Sequence, residues 1–543
     1  MKPFSRITNS LINRGEALTN KVFLRFTQRK RQREKKKALT FLDQFARQSS
    51  SSFQGNILID AVWDNANHWL RYAFLRKALG LASGKEMGMV GNDNKESCLD
   101  ALSLLGIKNV FEYKSLAGDQ LTHLKEAQRL LAACQDSADI LKWELPGGLP
   151  GDFIYDGILK KQRLATVELH DPALPGIVAE ALAGIAAAEN LYNNNKFDLV
   201  VLSHLSHFIH SPLAWGAISR KIPVVQLYGN YNSIRGCKLK MPADMYSNTD
   251  RPLKSDLNTL EETKKESMIA MCGNYLENRF TGKTADLAAY YAYQKRDNRV
   301  TRDDVCKRFG WDPQKKIIAV YASNWFDFPH LCGMKSFKDF LDWIQVTLKA
   351  AHENTEVNWL FKGHPCDEWY GGITLKDLIS AGENESHVQQ VDTTWNGADL
   401  IELIDGLVTF HGTAAVEFAA MGKPTMVADV GWYHDLGFVV WPKSREEYVK
   451  LLGSRWWELL NLESTKSGAR LFGGWYFCKP SIQKKFLIQD DSLQNRLYAN
   501  FQTLVESNRD IVNGEVETLG EWVKSDERFF HTFKMKRADN YTY

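Results

Sequence analysis

The chain has 543 residues, of which 44% are hydrophobic and 24% charged. This is the composition of a soluble globular protein, and the length predicts two large domains with extensions. Because 68 Lys and Arg stand against 65 Asp and Glu, the net charge is only +3, which argues against a nucleic-acid or acidic-polymer partner.

The cysteines and the apolar runs narrow the class of protein further. The eight cysteines are scattered without metal-ligand spacing, so we expect neither a structural zinc site nor a disulfide framework. Apolar runs fall short of the roughly 18 to 20 residues of a membrane span, and the N-terminus lacks the apolar stretch of a signal peptide. A cytoplasmic protein is therefore expected.

Residues 1–53 are predicted to form a basic helical arm that ends in a Ser-rich linker. The segment Lys21–Lys37 carries nine Lys or Arg and one acid, Glu34, so nine minus one gives a local charge of +8. An anionic membrane surface attracts such a segment with about 1 kcal/mol per basic side chain. We expect the arm to bind the inner face of the cell membrane; the alternative is a solvated, disordered arm.

Apolar strand patterns alternate with helical patterns along the rest of the chain. Continuous apolar strands are typical of parallel sheets that helices cover on both faces. The pattern predicts an α/β protein with two Rossmann-type doubly wound domains that face a cleft, where the carboxyl ends of the strands bind ligands. The expected divisions are an N-terminal acceptor-side domain, a helical connection, a C-terminal nucleotide-sugar domain and a helical tail: 54–245, 246–305, 306–450 and 451–543. The expected strands are 56–62, 197–202, 222–227, 316–321, 357–362, 406–410 and 425–428.

Polar residues that follow the N-terminal strands are candidates for substrate binding. Asp64 follows the first strand, and Tyr228 and Asn230 follow the strand at 222–227. In the connection, Arg279 is suited to a carboxylate on a donor sugar, because an Arg can hold a carboxylate with two hydrogen bonds. The alternative for Arg279 is a solvated charge at a helix end.

Three histidines lie between Ser203 and His210, after the strand at 197–202. Their i, i+3, i+6 spacing raises the question of a metal site. No acid or cysteine accompanies them in the loop, so we expect no metal there. His204 comes first after the strand and is the histidine expected to contact substrate.

Asp156 is a candidate catalytic residue of the N-terminal domain. It ends a short apolar stretch and precedes Gly157, which predicts a turn whose carboxylate faces the cleft. There it would deprotonate an acceptor hydroxyl or attack an anomeric carbon. The alternative is a structural turn residue.

The C-terminal domain contains two candidate phosphate-binding sequences. Lys362-Gly363-His364-Pro365 turns the chain at the end of a strand, and Lys362 and His364 could both carry positive charge beside a leaving phosphate. The second, Phe410–Pro424, predicts a strand, a short helix capped by Thr413, and a further strand. Helix N-termini bind anions, so the second sequence would hold a nucleotide phosphate through His411, Gly412 and Thr413. Glu417, one turn into the helix, would contact a ribose hydroxyl.

These two sequences, KGHP and HGT with the GKP that follows, resemble the nucleotide-sugar half of bacterial GT-B glycosyltransferases. The resemblance covers roughly residues 316–445 and points to the capsule and lipopolysaccharide transferases that use CMP-linked Kdo or sialic acid. In those families a His-Pro motif and a later Ser/Thr-containing loop hold the CMP phosphate; His364 and Pro365 match the first, and HGT approximates the second. The families also place a base or nucleophile in a Glu/Asp-Asp-Gly motif, which Asp156 matches with Tyr155 in place of the first acid.

The resemblance implies a GT-B, metal-independent glycosyltransferase. Its expected substrates are a nucleotide sugar and a glycan or lipid-linked glycan of the bacterial surface, with no cofactor and no nucleic-acid partner. The alternatives are a nucleotide-sugar epimerase or a polyol-phosphate transferase on the same fold, and a non-catalytic scaffold of glycan assembly.

Overall fold

The computed structural model describes two α/β domains and most of the segments that join them. The described residues are 29–48, 53–81, 84–228, 234–247, 251–281, 283, 293, 299–364, 367–381, 386–392, 394–478, 498, 501–503 and 505–530. Asn230, Pro365 and residues 21–28 of the basic segment lie outside them. The predicted pair of doubly wound domains is confirmed by the two sheets described next.

The N-terminal domain is built on a six-stranded sheet with the order β3-β2-β1-β4-β5-β6. All its strand pairs are parallel except β5 with β6. Its elements are α1 (29–47), β1 (Ile57–Ala61), α2 (Ala66–Leu79), β2 (Glu86–Val90), α3 (Lys95–Leu104), β3 (Asn109–Glu112), α4 (Tyr113–Leu116), α5 (Gln120–Ala132), α6 (Gly151–Gln162), α7 (Leu174–Asn194), β4 (Leu199–Leu202), α8 (His210–Ser219), β5 (Val224–Tyr228) and β6 (Arg235–Leu239).

The C-terminal domain has a parallel five-stranded sheet with the order β11-β10-β7-β8-β9. Two helices of the connection precede it, and two long helices follow it. The elements are α9 (Lys254–Asn258), α10 (Glu262–Phe280), α11 (Arg302–Phe309), β7 (Ile317–Tyr321), α12 (Phe340–Glu353), β8 (Asn358–Lys362), α13 (Leu375–Ala381), β9 (Val388–Gln390), α14 (Gly397–Leu403), β10 (Gly406–Thr409), α15 (Thr413–Ala420), β11 (Thr425–Val427), α16 (Arg445–Leu452), α17 (Leu462–Phe477) and α18 (Arg509–Lys524).

Local sequence explains where the first helix after β1 begins and ends. The Asn65 side chain accepts hydrogen bonds from the backbone N–H groups of Asn67 and His68, as an N-cap does. Gly80 ends the helix with φ of 60°, a left-handed conformation that glycine adopts without steric strain. Helix α2 therefore starts directly at the carboxyl end of β1 and holds His68 beside that strand.

The basic arm is part of the N-terminal domain rather than an extension outside it. Ala38, Leu39, Leu42 and Phe45 on α1 are buried in the same apolar cluster as β1 and α2. The expected boundary at residue 53 is therefore corrected, because the second half of α1 contributes apolar surface to the domain core.

The end of the described chain returns to the N-terminal domain. Helix α17 packs on the C-terminal domain against α10 and α15, whereas α18 packs against α2. The Trp522 ring of α18 lies over Gly236 of β6, where a Cβ atom would come within 2.8 Å of it. Beyond α18, Lys238 donates a backbone hydrogen bond to the Arg528 carbonyl (2.8 Å) and Phe530 to the Gly236 carbonyl (2.9 Å). The segment expected to be a separate tail thus covers the outer edge of the N-terminal sheet.

Helix α7 is long and apolar enough to cross a membrane, which the sequence analysis did not expect. Its window has a mean hydropathy of 1.2, and 56% of that window is buried within the protein. It packs against α5 and α8, so its apolar face is accounted for by the N-terminal core.

Candidate functional site

The carboxyl ends of the C-terminal strands bring the predicted phosphate-binding residues to one edge, which we call the donor edge. Strands β7, β8 and β10 are neighbours and end at Tyr321, Lys362 and Thr409. The Lys362 ammonium lies 4.9 Å from the centroid of the Tyr321 ring. The two sequence motifs, which are about 50 residues apart, therefore meet as the topology of a parallel sheet requires.

Helix α15 begins at the donor edge with its first N–H groups uncapped by a side chain. Gly412 is the N-cap and Thr413 is the first helical residue, which corrects the expectation that Thr413 caps the helix. The Gly412 carbonyl accepts hydrogen bonds from the Ala415 N–H (3.1 Å) and the Tyr433 hydroxyl (2.6 Å). Because no side chain caps this end, its N–H groups and positive dipole end are available to an anion.

Several polar atoms of the donor edge are buried and have no hydrogen-bond partner within the described part of the chain. They follow strands β7, β10 and β11 and are Tyr321 Oη, Asn324 Oδ1, Trp325 Nε1, His411 Nδ1 and Trp432 Nε1. An unsatisfied buried polar group costs about 1–3 kcal/mol. Unpartnered polar atoms at the ligand-binding edge of a doubly wound domain are groups that a ligand can satisfy.

Burial keeps the two donor-edge histidines neutral in the ligand-free protein. It lowers the pKa of His364 to about 4, and nearby Lys362 acts in the same direction. Burial also lowers the pKa of His411 to about 4, although a backbone contact with Val430 opposes this. The expectation that His364 carries positive charge is therefore corrected for neutral pH; either ring can still donate a hydrogen bond through one N–H.

Glu417 and Arg279 pair with each other, which corrects both of their predicted roles. Glu417 Oε1 lies 2.9 Å from Nε and 2.8 Å from a terminal nitrogen of Arg279, and the Tyr293 hydroxyl donates to Oε2. Both charged residues are buried. Their carboxylate and guanidinium groups join the connecting helix α10 to α15, so they are not open to a ribose hydroxyl or a donor carboxylate.

Asp156 lies inside helix α6 and not in a turn, and its carboxylate is bonded to the other domain. It accepts hydrogen bonds from His330 Nδ1 (2.7 Å) and from the backbone N–H groups of His330 (3.0 Å) and Leu331 (3.1 Å). Only 1% of Asp156 is exposed, so the prediction of a cleft-facing carboxylate is corrected. Burial would lower the pKa of His330, but Asp156 outweighs it and raises that pKa above its usual value.

Two more bonds tie α6 to the C-terminal domain. The Tyr155 hydroxyl donates to Asp339 Oδ2 (2.7 Å), and Asp339 also caps α12 by accepting from the Asp342 N–H. Lys160 forms an ion pair with Asp327 at 2.7 Å. Helix α6 is thus the contact that sets the two domains against each other on this side.

Asp64 anchors the basic arm, which corrects its predicted contact with an acceptor. Its Oδ2 accepts from Lys35 Nζ and Ser97 Oγ, both at 2.6 Å, and its Oδ1 accepts from Trp69 Nε1 (2.9 Å) and the Tyr498 hydroxyl (3.1 Å). These donors hold the pKa of Asp64 below its usual value although burial opposes them. The carboxylate has little capacity left for a substrate.

The histidines after β4 surround Trp63, which follows β1. The rings of His204, His207 and His210 lie 4.7, 4.8 and 4.9 Å from the Trp63 ring, centroid to centroid. His207 has φ of 76°, in the left-handed region. Among the residues that the structure describes, no group of three His, Cys, Asp or Glu side chains is arranged to hold a metal ion.

A pocket of 310 Å³ opens beside these rings, which we call the acceptor pocket. Strands β1 and β2 and helices α6, α7 and α8 border it. Its lining residues are Val62, Trp63, Asn92, Asp93, Tyr113, Gly157, Lys160, Lys161, Glu180, His207, Phe208, Ile209 and His210. Tyr228, predicted to bind substrate, ends β5 and is not among them.

Sequence reasoning missed the roles of Asp60 and His330. Asp60 is buried at the end of β1 and accepts from both the N–H and the hydroxyl of Ser203, at 2.8 and 2.7 Å. A buried acid inside an apolar strand was the available signal for Asp60, because such a charge requires partners. His330 had no comparable signal, since its partner Asp156 is 174 residues away in sequence.

Comparisons with known proteins give only distant likenesses. No family model and no curated protein matches the sequence. Solved structures that match include the beta Kdo 2,4 transferase KpsC of Thermosulfurimonas dismutans, with 13% identity, 51% of this chain and 79% of that chain covered, and a TM-score of 0.33. A UDP-GlcNAc 2-epimerase of Neisseria meningitidis matches with 11% identity, 84% and 99% coverage and a TM-score of 0.23. The wall teichoic acid polymerase TagF matches with 10% identity, 92% and 99% coverage and a TM-score of 0.24.

Proposed function

We propose that the protein is a glycosyltransferase that moves a sugar from a nucleotide donor to a bacterial surface glycan. The observation that supports it most is the set of unpartnered buried polar atoms at the donor edge. They lie at the same edge of the sheet as an uncapped helix N-terminus and a lysine, and these are the groups that bind a nucleotide phosphate. The acceptor pocket of the other domain supplies a second site for the second substrate.

In this proposal the phosphate of the donor lies between Lys362 and the N-terminus of α15. Lys362 contributes a positive charge, and the N–H groups at Thr413 contribute directed hydrogen bonds. His364 and His411, both neutral, donate hydrogen bonds that strengthen as negative charge develops on the departing phosphate. A CMP-linked acidic sugar is the donor that the KGHP resemblance favours, although Arg279 is not available to hold its carboxylate.

The acceptor pocket has the size and lining of a sugar subsite. Trp63 and Tyr113 offer aromatic surface for the apolar face of a sugar ring, and Asn92, Asp93 and Glu180 offer groups that bond to hydroxyls. A volume of 310 Å³ accommodates a sugar ring or two and leaves the rest of a glycan outside. The pocket therefore suits the end of a glycan chain.

Calorimetric titration with CMP, UDP, GDP and dTDP tests the donor site. We expect one nucleotide to bind. Lys362→Met should raise its Kd tenfold or more, since hydrogen bonds to charged groups contribute about 1.5–3 kcal/mol. The control is Lys315→Met, at the opposite end of the same sheet. If none of the four nucleotides binds, the proposal is wrong and the scaffold alternative gains support.

Product analysis then separates the reactions that remain. A glycosyltransferase requires donor and acceptor together and gives a longer glycan. An epimerase converts the donor alone, and a polyol-phosphate transferase adds a polyol-phosphate group to the acceptor and releases the nucleoside monophosphate. Either of these last two products would overturn glycosyl transfer while leaving nucleotide binding intact.

We also propose that helix α1 holds the enzyme at an anionic membrane surface. Its basic residues Arg29, Lys30, Arg31, Arg33, Lys36 and Lys37 are exposed, whereas Lys35 points inward to Asp64. Deleting residues 1–50 would remove core residues, so the sharper test exchanges the exposed residues for Gln. We expect each exchange to weaken binding to phosphatidylglycerol vesicles about fivefold, from roughly 1 kcal/mol per charge.

The control for this test exchanges the exposed Lys108, Lys114 and Lys125 for Gln. These lie on another part of the N-terminal domain, and their loss is expected to leave vesicle binding unchanged. Equal binding of the α1 variants and the unaltered protein would show that the arm is a solvated surface helix.

A further inference from the structure

A chain of hydrogen bonds leads from buried Asp60 to His204 at the carboxyl end of β4. Asp60 Oδ2 accepts from the Ser203 hydroxyl at 2.7 Å, and the same Ser203 oxygen lies 2.9 Å from His204 Nδ1. The Ser203 N–H also donates to Oδ2, at 2.8 Å. Asp60 lies in β1, and Ser203 and His204 directly follow the adjacent parallel strand β4, so the pairing of the two strands brings them together.

The direction of each hydrogen bond in this chain follows from the charge of Asp60. Burial would raise the pKa of Asp60, but His68 and His210 outweigh it and hold that pKa well below its usual range. An ionised carboxylate only accepts, and Ser203 has a single hydroxyl proton, which it donates to Asp60. The Ser203 oxygen must therefore accept from His204 Nδ1, so Nδ1 carries the ring proton and Nε2 carries a free electron pair.

His204 lies beside the acceptor pocket. Its ring packs edge-on against Trp63, at 4.7 Å between centroids, and Trp63 lines the pocket. The neighbouring His207, which also lines the pocket, contacts Phe328 of the C-terminal domain at 4.7 Å. His204 itself is partly exposed. An unprotonated ring nitrogen thus lies next to the wall of the pocket that would hold an acceptor hydroxyl.

We propose that His204 is the general base of the transfer reaction, oriented by Ser203 and Asp60; this rests on the proposed function. His204 Nε2 takes the proton of the acceptor hydroxyl as the acceptor oxygen forms a bond to the anomeric carbon. The bond from that carbon to the phosphate oxygen breaks, and its electron pair leaves with the nucleotide. The proton on His204 passes to solvent after the products depart.

The groups around His204 favour its neutral form before the reaction. Burial, followed by nearby His210, lowers the pKa of His204 to about 4, so the ring is unprotonated at neutral pH. Facing groups are Asp60 of β1, His68 and Arg71 of α2, and His207 and His210 of its own loop and α8. Asp60 is the anion among them, and through Ser203 it stabilises the imidazolium that forms.

A base at this position also predicts the stereochemistry. Direct attack by the acceptor oxygen displaces the nucleotide from the opposite side and inverts the anomeric centre. Retention by double displacement would need a nucleophile on the enzyme, and Asp156, the predicted one, is hydrogen-bonded to His330 in the other domain.

The variant that tests the proposal is His204→Asn. The Asn amide nitrogen takes the place of Nδ1 and still donates to Ser203, but nothing replaces Nε2. We expect kcat to fall by about 10²–10⁴, the usual contribution of a general base, while the donor KM and the melting temperature stay near those of the unaltered protein. The matched control is His170→Asn, an exposed histidine of the same domain, with unchanged kcat.

Two further measurements separate a base from a structural histidine. The acidic limb of kcat/KM in the unaltered enzyme, which falls as His204 is protonated, should disappear from the residual activity of His204→Asn. Added imidazole should restore part of the activity of His204→Gly. Near-normal kcat in His204→Asn, or a product with retained anomeric configuration, would overturn the proposal.

Failure of this proposal and failure of the proposed function look different. If the unaltered protein transfers sugar and His204→Asn does so equally well, only the base assignment is wrong. If the unaltered protein binds no nucleotide and extends no glycan, glycosyl transfer itself is wrong and the role of His204 as its base falls with it.

Discussion

The carboxyl edges of the two sheets have the same architecture and opposite chemistry. At the N-terminal edge, hydrogen bonds and imidazole rings converge on one buried anion, Asp60. At the donor edge, the buried acid Glu417 is neutralised by Arg279, and the groups facing outward are a lysine, neutral histidines and an uncapped helix N-terminus. In the proposed reaction, one edge takes up a proton and the other binds an anion.

The proposed transfer expels a phosphate and deprotonates a hydroxyl, which calls for a positive and a negative environment close to each other. On one edge the two would neutralise each other, as Arg279 and Glu417 do. Their position on two separate domains keeps them apart.

The largest expected effect tests the contact that holds the two edges in place. Asp156→Ala leaves His330 and two backbone N–H groups without their buried acceptor, so we expect about 3–5 kcal/mol loss of unfolding free energy in urea denaturation. The control is Arg299→Ala, whose ion pair with Glu402 is exposed (70% and 73% of the side chains); we expect below about 1 kcal/mol there.

This contact also has a pH dependence with a definite sign. Because Asp156 raises the folded-state pKa of His330 above 6.5, the stabilisation is fully present below pH 6.5 and is lost as the pH rises through the folded-state pKa. Asp156→Ala should abolish that alkaline loss. A variant with unaltered stability and pH profile would show that the domains are held elsewhere.

The second-largest expected effect follows from a change at the donor edge. His364→Ala should lower kcat by about 10²–10³, the usual result of removing a preorganised hydrogen-bond donor. His364→Gln keeps a donor near the position of Nε2 and should recover part of the loss. Steady-state kinetics measure both variants. Near-normal turnover in His364→Ala would show that His364 does not stabilise the departing phosphate.

The smallest effect belongs to the N-terminal edge. Ser203→Ala breaks the link between Asp60 and His204 but leaves the base nitrogen present, so we expect kcat to fall about tenfold, within the range of a single neutral hydrogen bond. Donor binding, measured by calorimetry, should not change. An unaltered kcat would mean that packing against Trp63 alone orients His204.

The apolar strands were predictable, the edge strand β11 among them, whereas β2, β3, β6 and β9 were not. β4 and β7 are continuous apolar runs, and β1 and β8 contain only one or two polar residues each, because helices cover both faces of a parallel sheet. β2 begins with a charged residue, Glu86, which is buried only because Arg76 pairs with it at 2.7 Å. β3 has no buried residue. Their hydropathy therefore carried no strand pattern.

The donor edge was predictable to the extent that strand ends determine it. Lys362, His364 and His411 lie where the strand-and-turn pattern placed them. Arg279 and Glu417 are 138 residues apart in sequence, and no local sequence pattern predicts such a partner. Asp156 was predicted in a turn because Asp-Gly is typical of turns. Here Gly157 is helical, and a glycine is present because any side chain at that position would collide with the Phe208 ring.

The return of the chain to β6 has a consequence for biosynthesis. An exposed strand edge readily pairs with other chains, and residues 528–530 and Trp522 of α18 cover β6. The ribosome makes β6 long before it makes that cover. The first domain to be synthesised is therefore the last to be completed, and a chain that stops after Asn508 carries an open edge into the crowded cell.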